Sequence, residues 1–236
     1  MNVIADSYVA TFGVAQSAKT LKEANAQIDD RIQKFVLKLE KIGIRQTDIY
    51  VDIVTQTRIL DYKVDANYAE QFISGFEQKK NVIVKFKEIK DLDKMLAAAS
   101  EHEIYDLIKV DYIVDDPDKV YTQLFQTAME LLNNKKELYV KTTRIKLKKT
   151  PKISSESFYY LTPPTLYQSY SPRNISTDYD DYGNSRSKKK NLQVSTTYYY
   201  DHIDYSAFDK VINPIVTEPA IEFILLLQLK FDIERE

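Results

Sequence analysis

The stretch Ile73–Leu96, with the sequence ISGFEQKKNVIVKFKEIKDLDKML, changes its hydrophobic period once. Before residue 90 the apolar and polar side chains alternate, which predicts a strand with one buried face. The apolar positions of that face are Phe72, Phe76, Val82, Val84 and Phe86, and the polar positions are Glu77, Lys79, Asn81, Lys85 and Lys87. The stretch therefore predicts a long strand, followed by a helix that begins near Asp91.

The residues before this strand predict an opening strand and a helix. Val3–Val14 alternates as a strand does, and Thr20 and Glu23 form a capping box that starts a helix. Gly43 occupies the position of a left-handed C-cap at the end of that helix. The apolar stripe of the helix is Leu21, Ala24, Ile28, Ile32, Phe35, Leu39 and Ile42.

Asp48–Val64 predicts the strand that pairs with Tyr68–Ile89, since turn residues at 65–67 separate the two. The result is a long hairpin. At roughly 3.3 Å per residue, either arm exceeds ~50 Å if it is unbroken. The polar middle of the second strand, Glu77–Asn81, predicts a β-bulge.

The chain beyond the hairpin continues to alternate between helices and strands. We expect a helix over Asp91–Ala99, a strand over Ile104–Val114 and a helix that starts at Pro117. A weaker strand follows at Tyr139–Leu147. The last strand, Ala220–Ile233, is apolar on both faces at its centre, as a central or interface-covered strand is. The stripe of the helix after Pro117 is Val120, Leu124, Ala128 and Leu131.

These elements predict an α+β fold with a mixed, largely antiparallel sheet, a long hairpin and about three helices on one face. We expect a single domain over residues 1–236, with its core at 3–149 and 218–235. Residues 150–217 form an excursion rich in Tyr, Ser, Pro and Asn. Within it, Asn191–Tyr200 predicts one strand.

Composition excludes several function classes. The net charge of −2 provides no electrostatic footprint for nucleic acid. The basic run Lys135–Lys149 is interpreted as a solvated strand face, with contact to phosphate or anionic lipid as the alternative. The absence of cysteine excludes disulfides, thiolate metal sites and cysteine nucleophiles. No run is long and apolar enough to predict a transmembrane helix.

Catalytic motifs are missing from the sequence. Its four glycines, at positions 13, 43, 75 and 183, cannot assemble a dinucleotide fingerprint or a phosphate loop, and there is no G-x-S-x-G elbow. We therefore expect no catalytic residue and no cofactor. Asp178–Gly183 resembles the start of a calcium loop, but Lys189 stands where the loop requires Glu. We interpret this segment as an acidic turn without a metal.

Each of the two histidines lies among carboxylates, at Glu101–Glu103 and at Asp201–Asp204. Polar surface loops are the favoured interpretation. A hydrolase or metalloenzyme built from Glu101, His102, His202 and Asp204 is the competing hypothesis, and it requires the two histidines to converge in space.

Tyrosines crowd the excursion. Two interpretations stay open: the rings pin a long segment onto its own domain, or they form an interface with a second subunit or partner. Binding of a sugar or cell-wall fragment by segment 159–205 is a further alternative. The candidate interaction surface comprises Tyr159, Tyr160, Tyr167, Tyr170, Tyr198, Tyr199 and Tyr200.

Three stretches resemble the SIMPL domain family, formerly a domain of unknown function. Ala5-Asp6-Ser7-Tyr8-Val9 leading to Gly13-Val14 is similar to the opening strand of the family. Gly43-Ile44 followed by Thr47-Asp48-Ile49 is similar to its helix-to-strand junction. Ile73-Ser74-Gly75-Phe76 through Val84, with Asp91-Leu92, is similar to its Gly-Tyr strand and the next helix. The resemblance covers residues 3–147 and 220–233 and leaves 151–219 unmatched.

The resemblance implies an exported, envelope-associated bacterial protein without an established active site, in a family where some members form large rings. We therefore expect a non-enzymatic periplasmic or envelope protein that acts through self-assembly or contact with an envelope partner, as a homo-oligomer. The chain begins almost inside its first strand, which favours a mature sequence without its signal peptide; a cytoplasmic location stays open.

Overall fold

The computed structural model describes residues 1–65, 68–171, 196–215 and 217–234. It confirms the predicted α+β class. Every ladder between the strands described is antiparallel. In chain order the helices and strands are β1 (Asn2–Val3), β2 (Ser7–Ala18), α1 (Leu21–Lys41), β3 (Ile49–Asp65), β4 (Tyr68–Phe86), α2 (Asp91–Ser100), β5 (Asp106–Ile113), α3 (Pro117–Thr143), β6 (Lys152–Leu161), α4 (Pro163–Leu166), β7 (Tyr167–Tyr170), β8 (Thr197–Tyr200) and β9 (Ile221–Lys230).

The chain divides into two compact units. The N-terminal unit comprises residues 4–120, and the C-terminal unit comprises residues 1–3 with 121–236. The N-terminal unit contains the four-stranded sheet β3-β4-β2-β5. The C-terminal unit contains the three-stranded sheet β1-β9-β6 and the two-stranded ribbon β7-β8.

Helix α1 packs on β2 and β4 and completes the core of the N-terminal unit. The ring of Phe12 meets the ring of Phe35 edge to face, with their centroids 5.3 Å apart, and both side chains are fully buried. The capping box is confirmed, because the Thr20 hydroxyl accepts from the Glu23 amide and the Glu23 carboxylate accepts from the Thr20 amide. Gly43 has a φ of 97°, which confirms the predicted left-handed C-cap.

The long hairpin is confirmed, with 17 residues in β3 and 19 in β4. The register changes between Ile53 and Thr55, which leaves Val54 as an extra residue opposite Lys79 and Lys80. The bulge therefore lies where the polar middle of β4 predicts it, although the extra residue belongs to β3. A second register change leaves Ser74 as an extra residue on β4.

The second bulge reverses the two faces of β4. Because one added residue shifts the alternation by one position, residues beyond Ser74 project to the opposite side from their predicted one. Val82 and Val84 are fully buried as predicted, but Phe72 lies on the other face and is 47% exposed. The assignment of Phe72 to the buried face is therefore wrong.

Within the N-terminal unit, no third strand among the described residues pairs with the outer half of the hairpin. Strand β2 pairs with β4 only over residues 76–86, and the 21 residues of α1 span about 32 Å. The 17 residues of β3 span about 56 Å. We call residues 60–65 and 68–73, which lie beyond the second bulge, the hairpin arm.

The predicted strand at Tyr139–Leu147 is wrong. Helix α3 continues through these residues to Thr143, because its lysines, glutamate and leucine favour a helix and no Gly or Pro interrupts it. Arg144 ends the helix in the left-handed region, with a φ of 62°, and its amide donates to the carbonyl of Val140. Only Leu147 pairs, in an isolated bridge with Ile233.

Strand β9 is the central strand of its sheet, as its apolar centre predicts. Its long partner is β6, so the segment interpreted as an excursion contributes a strand to this sheet. The ring of Phe158 on β6 stacks on Phe223 of β9, and Tyr121 of α3 meets Phe158 edge to face. The strand predicted at Asn191–Tyr200 is described from Thr197 to Tyr200, and residues 191–195 lie outside the described residues.

We predict that Phe35→Ala lowers the free energy of unfolding by about 3–5 kcal/mol, because it leaves a cavity beneath the ring of Phe12. Leu37→Ala is the matched control on the same helix, since Leu37 is 51% exposed. Urea unfolding followed by circular dichroism measures both variants. A loss for Phe35→Ala no larger than the loss for Leu37→Ala would contradict this packing.

Candidate interaction surfaces

The hairpin arm has one apolar and one charged face, because directly opposite residues of an antiparallel pair project to the same side. The register pairs Leu60 with Ile73, Tyr62 with Gln71, and Val64 with Ala69. The apolar arm face thus comprises Leu60, Tyr62, Val64, Ala69, Gln71 and Ile73. The other face, which we call the charged arm face, carries Asp61, Lys63 and Glu70 together with the aromatic side chains of Tyr68 and Phe72.

The apolar arm face is open to solvent. Val64 is 78% exposed, Tyr62 is 60% exposed, and Leu60 and Ile73 are each 49% exposed. The Gln71 side-chain amide donates to the hydroxyl of Tyr62 at 3.1 Å, so the two polar groups of this face bond to each other across the strands. A contiguous exposed apolar surface is typical of an interaction site.

The seven tyrosines of the candidate surface lie on β6, β7 and β8. Six of them are exposed: Tyr159, Tyr160, Tyr167, Tyr170, Tyr198 and Tyr199. Tyr200 is half-buried and directly opposite Tyr167, and the two rings meet edge to face at 6.1 Å. One tyrosine therefore fastens the ribbon to its own unit. The other six are exposed, and among them the rings of Tyr160 and Tyr167 also contact Phe223 and Tyr200.

A buried carboxylate holds Tyr200 in place. Glu222 on β9 is only 1% exposed, and it accepts from the Tyr200 hydroxyl at 3.3 Å and from the Ile203 amide at 3.4 Å. The Tyr200 hydroxyl also lies 3.3 Å from the Ala220 carbonyl oxygen. Burial, together with the neighbouring charge of Glu222, raises the pKa of Tyr200 to about 12.

Asn2 adds a second buried polar group to this region. Its side-chain amide donates to the hydroxyl of Tyr205 at 2.6 Å and to the Asn213 carbonyl at 2.7 Å. Burial raises the pKa of Tyr205, whose ring stacks on His202 with centroids 4.4 Å apart. Glu222 and Asn2 therefore fasten residues 200–213 to the central sheet of the C-terminal unit.

Two of the carboxylates beside the histidines have local partners. Glu101 forms an ion pair with Lys38 at 2.8 Å, which lowers the pKa of Glu101. Asp204 accepts from the amide and hydroxyl of Ser206. Within the described ranges no group of three or more His, Asp or Glu side chains is arranged to hold a metal ion. The acidic turn predicted at 178–183 lies outside those ranges.

Glu222 and Asn2, which fasten residues 200–213 to the sheet, were not predicted from the sequence. A carboxylate inside the apolar run 221–229 is the signal that marks Glu222, because a buried charge requires partners. No comparable signal marks Asn2. The apolar arm face could not be predicted from the sequence either, because the bulge at Ser74 decides which residues lie on that face.

The fold and its surfaces define an α+β protein built on antiparallel sheets, with a long amphipathic hairpin. The sequence profile of the SIMPL family, described as a protein of unknown function (DUF541), matches residues 1–204, so the chain belongs to the SIMPL family. The predicted resemblance is confirmed. The match includes most of the segment that the resemblance left out, and it ends before β9.

A comparison with curated proteins finds no significant match. Among the described helices, none combines the length and apolar character needed to cross a membrane.

We predict that ultraviolet titration detects a phenol that ionises near pH 12 and that Tyr200→Phe removes its contribution. Because the folded pKa lies above the ordinary value of 10.0, the stability this group contributes is fully present below pH 10 and is lost as pH rises through about 12. The exposed Tyr199 provides the control, and Tyr199→Phe leaves the step near pH 12 in place. An unchanged step in Tyr200→Phe would contradict the buried contact with Glu222.

Proposed function

We propose that this protein is a non-enzymatic component of the cell envelope that acts through self-association, with the apolar arm face as the contact. The exposure of Leu60, Tyr62, Val64 and Ile73 on one side of a two-stranded ribbon carries the proposal. Water contact with this side is unfavourable, so a partner that covers it is stabilised by apolar burial.

A second copy is the partner that the composition of the face favours. The apolar arm face contains no charged side chain. Two such faces can therefore meet around a two-fold axis without burying a charge, and each supplies the surface that the other needs. The charged arm face, with Lys63 opposite Glu70, then faces solvent on the outside of the pair.

The unpaired edge of β3 also favours self-association. Among the described strands, β4 is the only neighbour of β3, which lies at the edge of its sheet. A long unprotected edge presents free backbone donors and acceptors to another chain. Its 17 residues make it longer than most strands of globular proteins.

The size of the arm sets the expected strength of self-association. Six residues per strand give a face about 20 Å long and about 10 Å wide. Two such faces bury less than the ~1,200 Å² of a stable complex, so we expect association that depends on protein concentration. The six exposed tyrosines of β6, β7 and β8 add side chains of the type enriched at interfaces.

Location in the envelope is supported by SIMPL family membership, because the resemblance implies an exported protein. A non-enzymatic role is supported by the local pairing of Glu101 with Lys38 and of Asp204 with Ser206. These contacts engage the carboxylates on which the hydrolase hypothesis depends.

We predict that Tyr62→Lys weakens self-association at least tenfold, because it places a charge in the apolar arm face. Phe72→Lys is the matched control, since it introduces the same charge on the opposite face, across from Asp61. Sedimentation velocity over a wide protein concentration range gives the dissociation constants, and circular dichroism verifies the fold. We expect less than a threefold change for Phe72→Lys.

Two results would contradict the proposal. The first is a wild-type protein that stays monomeric at every concentration. The second is an equal loss of association in Tyr62→Lys and Phe72→Lys, which would indicate a contact that does not distinguish the two faces of the arm.

A further inference from the structure

A cleft of about 310 Å³ lies between α3 and β9 within the C-terminal unit. One wall is the α3 stripe, with Leu124, Ala128 and Leu131, and the opposite wall is Leu225–Gln228 of β9. Residues 207–210 and Ile212 close one side. Ten of its sixteen lining residues are apolar.

The cleft exists because the helix does not close onto the sheet. Leu124, Ala128 and Leu131 form the stripe that the sequence predicts for packing, yet each of them is only half-buried. Protein interiors are normally filled to the density of organic crystals. At roughly 30 Å³ per water molecule, the cleft has room for about ten waters, and most of the side chains beside them cannot hydrogen-bond to water.

The charged groups of the cleft are two lysines and one aspartate. Lys135 of α3 pairs with Asp209, which ties residues 207–212 to the helix across the cleft. Lys210 has no ion-pair partner among the residues that the structure describes. The cleft therefore combines an apolar interior with one available positive charge.

We propose that this cleft binds an amphiphile with a single acyl chain and a carboxylate head. The chain lies between α3 and β9, and the carboxylate pairs with Lys210. A methylene fills about as much space as a water molecule, roughly 30 Å³, so the cleft accommodates a chain of about ten carbons. Pockets of a few hundred Å³ with apolar walls and a few polar groups are typical of small-molecule sites.

Hydrogen bonds hold the segment that contains residues 207–212, which closes one side of the cleft. Residues 207–212 continue from the segment that Glu222 and Asn2 fasten to the sheet, through Tyr200, Ile203, Tyr205 and Asn213. A smaller cavity of about 50 Å³ adjoins this region and shares Leu124, Phe208, Lys210 and Leu225 with the cleft. Glu222 and Lys210 both line that smaller cavity, and repulsion from Glu222 disfavours a carboxylate head inside it.

Isothermal titration of the full chain with hexanoate, octanoate, decanoate and dodecanoate tests the proposal. We expect affinity to rise about fourfold per methylene up to about ten carbons and then to level off, because the cleft is then full. Ala128→Phe fills the cleft from the helix and should abolish binding of decanoate. If Ala128→Phe lowers stability, Thr127→Leu, which removes a polar group from the wall, should instead tighten binding of decanoate.

Decanol, which has a hydroxyl in place of the carboxylate, tests whether the head group pairs with Lys210. Lys210→Gln should weaken decanoate at least fivefold and leave decanol unchanged, and Lys94→Gln, in the N-terminal unit, should affect neither. Absence of binding by every chain length, or affinity that does not depend on length, would overturn the site. Equal weakening of decanoate and decanol by Lys210→Gln would overturn the assignment of the carboxylate to Lys210.

Discussion

The difference in rise between a helix and a strand shapes the N-terminal unit. Each residue advances a helix by about 1.5 Å and a strand by about 3.3 Å, so α1 covers little more than half the length of β3. Strand β2 stops pairing with β4 at Phe76. The remaining residues of the hairpin form a two-stranded ribbon whose apolar side has no cover within its own sheet. The proposed self-association follows from this mismatch in length.

The bulges decide which residues that ribbon exposes. Without the extra residue at Ser74, the alternation would place Phe72 with Val82 and Val84 on one face. With it, the apolar arm face is assembled from Leu60, Tyr62, Val64, Ala69, Gln71 and Ile73, and Phe72 turns to the charged side. One residue of register therefore determines whether the arm is amphipathic.

Sequence reasoning succeeded where a local signal decides the structure. The capping box at Thr20, the left-handed Gly43 and the change of period before Asp91 each act within a few residues, and each is found as predicted. It failed at Tyr139–Leu147, where alternation predicts a strand but local helix propensity keeps residues 139–143 in α3. It also missed the pairing of β6 with β9, which joins residues about 70 positions apart.

The candidate surfaces were predicted only in part, because they too depend on contacts between residues that are distant in the sequence. The tyrosines were visible as a composition bias, but only the structure separates Tyr200, held by Glu222, from the six exposed rings. The cleft beside α3 depends on the gap left between a predicted stripe and β9, which no periodicity reports. Glu222 connects the two features, since the segment that it fastens also closes the cleft.

Disulfide trapping tests the central claim, that two apolar arm faces meet, most directly. The chain has no cysteine, so Tyr62→Cys introduces a single thiol on that face and Phe72→Cys introduces one on the opposite face. Under mild oxidation the account predicts that Tyr62→Cys forms covalent dimers much faster than Phe72→Cys does. Equal rates for the two variants, or faster trapping of Phe72→Cys, would contradict it.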